Sequence, residues 1–126
     1  MTQYSGKLKR AVVKEELVAL TGDALSAMIL NQLLYWSERT NDFDNFIKEE
    51  KERVSDTEIP LTHGWIYKKT DDLKDELMTP ASFNTIRRRM RVLVENGWVN
   101  VRRNPDHGWD QTLQYRPDIL AIQRDL

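Results

Sequence analysis

The 126-residue sequence contains no cysteine, which excludes disulfide staples, thiolate metal sites and cysteine nucleophiles. Its five glycines and four prolines stand singly, so no flexible linker divides the chain and one domain spanning residues 1–126 is expected. No run of about 18 apolar residues occurs, and the basic start MTQYSGKLKR lacks the apolar stretch of a signal peptide. These absences predict a cytoplasmic protein without a membrane partner. The only two histidines, His63 and His107, have no neighbouring ligands at zinc spacing, so no metal site is expected. Adjacent carboxylates such as Glu15-Glu16, Glu49-Glu50 and Asp71-Asp72 point in different directions, and the phosphate-cradling glycine loop, the nucleophile-elbow serine and the paired-histidine zinc helix are all missing. The expectation is a protein that is not an enzyme and takes no cofactor.

Net charge is only −1, but it is unevenly distributed. Residues 1–79 hold 11 basic and 15 acidic side chains, residues 80–116 hold seven and three, and residues 117–126 hold one and two. All seven basic residues of the middle stretch are arginines: Arg87, Arg88, Arg89, Arg91, Arg102, Arg103 and Arg116. Arginine is the side chain that pairs bidentately with phosphate and with guanine edges, so this local excess points to nucleic acid.

Residues 12–20 fit a short strand or helix, and Thr21-Gly22-Asp23 then supplies the small polar residues that open a helix. In ALSAMILNQLLYWSER, Leu25, Met28, Ile29, Leu33 and Trp36 recur at helical spacing, widened by Leu30, Leu34 and Tyr35, which predicts a helix central to the core. Residues 41–60, with seven acidic and three basic side chains, are expected to be a solvated helical insert. Gly64 to Tyr67 alternates as a short strand, and Thr70-Asp71-Asp72 opens a second helix whose buried face would be Leu73, Leu77 and Met78. Thr79 is the expected cap and Pro80 the expected first residue of a third helix over residues 80–96, stopped by Gly97. Residues 98–116 form a β-hairpin with a long tip, and residues 117–126 close with a short helix. Trp36, Trp65 and Trp98 lie in core patterns, whereas Trp109 sits at the hairpin tip.

The expected fold is therefore α+β and mainly helical, ordered helix, short strand, helix, tight turn, helix, hairpin. That is the order of a winged helix-turn-helix, here with helix-turn-helix 70–96, wing 98–116, the 41–60 insert and a terminal helix. On the third helix, Phe83, Ile86, Met90, Leu93 and Val94 share one arc of about 100°, the width of a core-facing stripe. Asn84, Thr85, Arg88, Arg91 and Glu95 lie opposite, with Arg87 and Arg89 on the flanks. Arg88 and Asn84 are the candidate base readers, since Arg–guanine and Asn–adenine pairs each discriminate by about 1–3 kcal/mol. Ser82, Thr85 and the helix N-terminus suit phosphate, and Arg87, Arg91, Arg102, Arg103 and His107 would supply charge along the DNA backbone.

Several stretches together resemble the winged-helix domains of replication-initiation and replisome-organiser proteins encoded by bacterial phages, plasmids and integrative elements. They are Leu30-Asn31-Gln32-Leu33-Leu34-Tyr35-Trp36, Gly64-Trp65-Ile66-Tyr67-Lys68, Thr85-Ile86-Arg87-Arg88, Leu93 through Trp98, Asn104-Pro105, and Trp109-Asp110-Gln111-Thr112 before Gln114-Tyr115-Arg116. The likeness spans roughly residues 12–117, and its helix portion alone is shared by many winged-helix repressors. The resemblance implies recognition of an origin or other double-stranded site, usually by a homodimer that recruits replication proteins. Such proteins commonly carry a second domain, whereas this sequence ends just after its terminal helix. The dimer surface could come from the N-terminal segment, the 41–60 insert or the last helix. A protein–protein interaction module without DNA binding, docking through the acidic half, is the alternative.

Overall fold

The computed structural model describes residues 13–106, 108–109 and 112–126. His107, one of the expected DNA contacts, lies outside the described residues, as does most of the N-terminal segment weighed as a dimer surface. Among the described residues are six helices and three strands, about half of the chain being helical. In chain order they are α1 (Glu15–Thr21), α2 (Ala24–Ser37), α3 (Phe43–Arg53), β1 (Ile66–Tyr67), α4 (Thr70–Leu77), α5 (Phe83–Glu95), β2 (Val99–Arg103), β3 (Leu113–Pro117) and α6 (Ile119–Asp125). No single helix among the described residues is long and apolar enough to cross a membrane.

Asp23 starts α2 because its carboxylate accepts from the Ser26 backbone N–H and from the Ser26 hydroxyl, each at 2.8 Å. From there α2 buries Ala27, Ile29, Leu30 and Leu33 completely and packs against α1, α4, α5 and β3, the central position its pattern predicts. Tyr35 does not join that core and is 42% exposed, with the Arg39 guanidinium stacked 3.6 Å from its ring centroid. At the end of α2 the Trp36 indole N–H (2.6 Å) and the Gln32 amide (2.7 Å) both donate to one Glu76 oxygen, fastening α2 to α4.

Residues 41–60 hold the expected helix, α3, and most of their side chains are exposed, but one face of the helix is buried, which their composition does not suggest. Phe46 is fully buried, and Glu49 and Glu50 are buried too, because Arg116 of β3 reaches them from beneath. The reason is charge neutralisation: buried carboxylates are tolerated when they are paired, and no count of charges along the sequence reveals the partner 66 or 67 positions away. The chain after α3 returns at Gly64, whose φ of +84° and position against the Phe46 ring leave no room for a side chain.

The sheet order is β1-β3-β2, antiparallel throughout, with β3 in the middle. Tyr115 stands opposite both Ile66 and Val101 on the face toward α5, and the alternation puts Gln114, Arg102 and Tyr67 on the other face. The hairpin matches the expected span closely. The short closing helix is also present, capped by Asp118, whose carboxylate accepts from the Ala121 N–H at 3.0 Å. The Trp98 indole N–H holds its far end by donating to Asp125 at 2.9 Å.

Two expectations around the α4–α5 turn are corrected. Met78 does not extend the buried face of α4. It sits in the left-handed region at φ 50°, ψ 39° with 48% of its surface exposed, occupying the stop position usually given to glycine. Thr79 does not cap α5, because its hydroxyl accepts from Ala81 N–H at 3.1 Å in a local turn. Pro80 and Ala81 extend that turn, so Ser82 becomes the cap and α5 begins at Phe83 rather than residue 80. The Lys74 ammonium closes the turn by donating to the Thr79 and Ala81 carbonyls at 3.2 and 2.5 Å. At the other end Gly97 follows the helix at φ 82°, the left-handed stop expected there.

Candidate functional site

α5 is positioned by its apolar stripe. Ile86, Met90 and Leu93 are buried against α2 and α4, and Val94 is half-buried. Phe83 departs from the expected arc: at the first turn of the helix it extends past the packed region and is 41% exposed, with the Lys74 ammonium 5.6 Å from its ring centroid. One arginine of the helix is engaged in the scaffold. Arg89 is half-buried and pairs with Asp23 at 3.3 Å, tying α5 to the start of α2. Burial of Asp23 would raise its pKa, but hydrogen bonds from Ser26 and the Arg89 charge outweigh that and hold the carboxyl below its ordinary value.

Ser82, Asn84, Arg87, Arg88 and Arg91 are exposed, and Thr85 is half-buried, so α5 presents a polar and cationic surface from its start to Arg91, followed by exposed Val92 and Glu95. Neighbours at i, i+3 hold one another: Arg87 donates to the Asn84 side-chain oxygen at 3.1 Å, and Arg88 donates to the Thr85 hydroxyl at 3.2 Å. Ser82 accepts from the Thr85 N–H at 3.2 Å, and their hydroxyls lie 3.0 Å apart. Arg91 has no hydrogen-bond or ion-pair partner among the described residues, leaving its full donor fork for a ligand.

The two hairpin arginines separate. Arg103 is exposed and pairs across the ladder with Leu113, on the sheet face that α5 shares. Arg102 points the other way, donating to Gln114 at 2.8 Å and stacking 4.2 Å from the Trp65 ring centroid. Burial lowers its pKa, against the opposing charges of Asp106 and Asp42. Arg102 is thus not brought together with the α5 cations. Nor is Arg116, which contributes to the local positive count but is wholly buried and spent on Glu49 and Glu50.

A cleft of roughly 300 Å³ separates α5 from the sheet, bordered by Arg87, Arg91 and Lys68. Lys68 was not among the sequence candidates. It follows β1, is ion-paired with Glu76 and lies 4.2 Å from the Trp36 ring centroid, and only the packing of β1 beside β3 carries it toward α5. Trp109, at the hairpin tip, is 79% exposed.

Compared with known proteins, the chain matches no family model, no curated protein and no solved structure.

Proposed function

We propose that this protein is a double-stranded DNA-binding module of winged-helix type that reads sequence through α5 and lays its β2–β3 hairpin along the DNA backbone. The observation that carries this reading is the exposed α5 face, where Asn84, Arg88 and Arg91 stand free of the core, with Arg103 exposed on the sheet face turned toward α5. Helices α2, α4 and α5 packed around one core, followed by a hairpin whose second strand pairs with β1, are the parts such a module requires. Asn84 and Arg88 are the base readers. Arg87, Arg91 and Arg103 contact phosphate together with the hydroxyl-rich start of the helix at Ser82 and Thr85. The resemblance to replication-initiation proteins of mobile elements makes origin binding or transcriptional control of such an element the matching role, and a homodimer its matching form.

Fluorescence anisotropy with random duplex and single-stranded oligonucleotides tests this. Duplex affinity should fall with salt, log Kd rising against log salt with a slope of roughly 4 for four to five neutralised phosphates. After selection of the preferred site, Arg88→Ala should cost about 1–3 kcal/mol on that site and much less on random duplex. An equal loss on both would make Arg88 a phosphate contact. No binding even at low salt would favour an interaction module that uses the same fold to dock a protein.

A further inference from the structure

The cleft between α5 and the sheet has a chemistry of its own. Its helix side is Leu73, Met90 and Val94, and its sheet side is Val101, Leu113 and Tyr115. Val101 and Leu113 are each left 39% exposed on the sheet face that they share with the half-buried Tyr115. An apolar floor open to solvent is unfavourable unless something covers it. Its border is cationic: Arg87 and Arg91 rise from α5, and the Lys68 charge is already answered by Glu76. Two guanidiniums therefore carry the net charge. Tyr115 is half-buried, burial raises its pKa, and its hydroxyl has no hydrogen-bond partner among the described residues.

We infer that this cleft binds a small amphipathic monoanion, an aromatic carboxylate, with its apolar body between Met90 and Val101 and its carboxylate on Arg87 and Arg91. The volume, at the lower end of the roughly 300–1,000 Å³ typical of ligand sites, suits a one- or two-ring molecule and not a nucleotide. A bare phosphate could meet the guanidiniums but would leave the apolar floor uncovered and gain nothing from it, and the border repels cations. Planar guanidinium forks match a carboxylate bidentately. This site does not depend on the DNA reading, since the binding is measured without nucleic acid, although an occupant on Arg87 and Arg91 would compete with phosphate there.

The test is calorimetric and NMR titration of the full chain with 2-naphthoate, and with 2-naphthamide as its uncharged counterpart. Naphthoate should bind saturably and about tenfold or more tighter than the amide, the scale of one charge-assisted hydrogen bond. Arg91→Leu, which keeps the apolar wall, should remove that preference. Val101→Trp should fill the cleft and abolish binding of both, and Leu113→Trp serves the same purpose from the partner strand should the first variant unfold. Equal affinity for acid and amide, absence of saturable binding at millimolar concentration, or naphthoate binding that survives a folded cleft-filling variant would each overturn the inference.

Discussion

The Arg116 guanidinium, with none of its surface exposed, lies 2.9 Å from a Glu49 oxygen, and its other terminal nitrogen lies 2.9 Å from Glu50. Its Nε donates to the His63 carbonyl at 2.7 Å, so all three arms of the group are satisfied. Glu50 also meets Arg53 at 2.7 Å, and Arg53 reaches Asp118, the cap of α6, at 3.4 Å. One chain of charges thus binds α3, β3 and α6. It also withdraws the carboxylates of Glu49, Glu50 and Asp118 from the surface against the guanidiniums of Arg53 and Arg116, which leaves the exterior less acidic than the sequence count.

Arg116→Met should therefore destabilise the protein by up to about 3–5 kcal/mol, because it removes the cation that two buried carboxylates share and leaves Glu50 to Arg53 and Glu49 to the Thr62 and His63 donors, whereas replacing a whole pair with apolar residues costs far less. Urea unfolding measures the loss. The folded fraction should retain its duplex affinity, since Arg116 is remote from solvent and from α5's exposed face.

The same cluster fixes a pH dependence. Burial would raise the Glu49 pKa, but hydrogen bonds from the His63 ring and backbone and from the Thr62 N–H, with the Arg116 charge, together hold it below the ordinary 4.5. A depressed native pKa means that the unfolded chain takes the proton first. The stabilisation is complete above pH 4.5 and drains away as pH falls toward the native value, at up to about 1.4 kcal/mol per pH unit for one proton. Glu49→Gln should be less stable at neutral pH and should flatten the curve below pH 4.5, as followed by urea midpoints across that range.

Met78 offers the opposite test. A methionine at φ 50° bears the strain of a Cβ in the left-handed region, and its exposed side chain recovers little packing. Met78→Gly should stabilise the fold by about 0.5–1 kcal/mol, seen as a raised Tm. A fall in Tm would show that the Met78 side chain contributes more contact than its backbone strain costs.

The sequence was legible where local chemistry decides. Gly97 ends α5 because its φ requires glycine, Asp23 opens α2 because its carboxylate meets Ser26, and the periodic apolar residues of α2 became the core. It was illegible where a partner far along the chain decides. Glu49 and Glu50 belong to the surface until Arg116 is brought beneath them, and Lys68 enters the cleft only because β1 lies beside β3. The turn between α4 and α5 shows a third limit. Thr79 and Ser82 are both good caps three residues apart, and the Lys74 bridge to the Thr79 and Ala81 carbonyls favours the later start.

Arg102 and Arg103 are adjacent in sequence, which makes them a single basic patch on paper, but a strand sends successive side chains to opposite faces. Arg103 shares the α5 side of the sheet and is exposed, whereas Arg102 is held by Gln114 and the Trp65 ring on the far side. The proposed DNA surface therefore includes only one of them. Arg103→Ala should weaken binding to every duplex alike and lower the magnitude of the salt slope by about one, the signature of a lost phosphate contact. Arg102→Ala should leave that slope unchanged and instead lower Tm, because it removes a cross-strand hydrogen bond and a stacked cation worth about 1–2 kcal/mol together. Anisotropy at several salt concentrations, paired with thermal melts of both variants, separates the two roles. A slope change for Arg102→Ala equal to that for Arg103→Ala would mean that DNA reaches the far face of the sheet, and the hairpin would then have to straddle the backbone rather than lie along it.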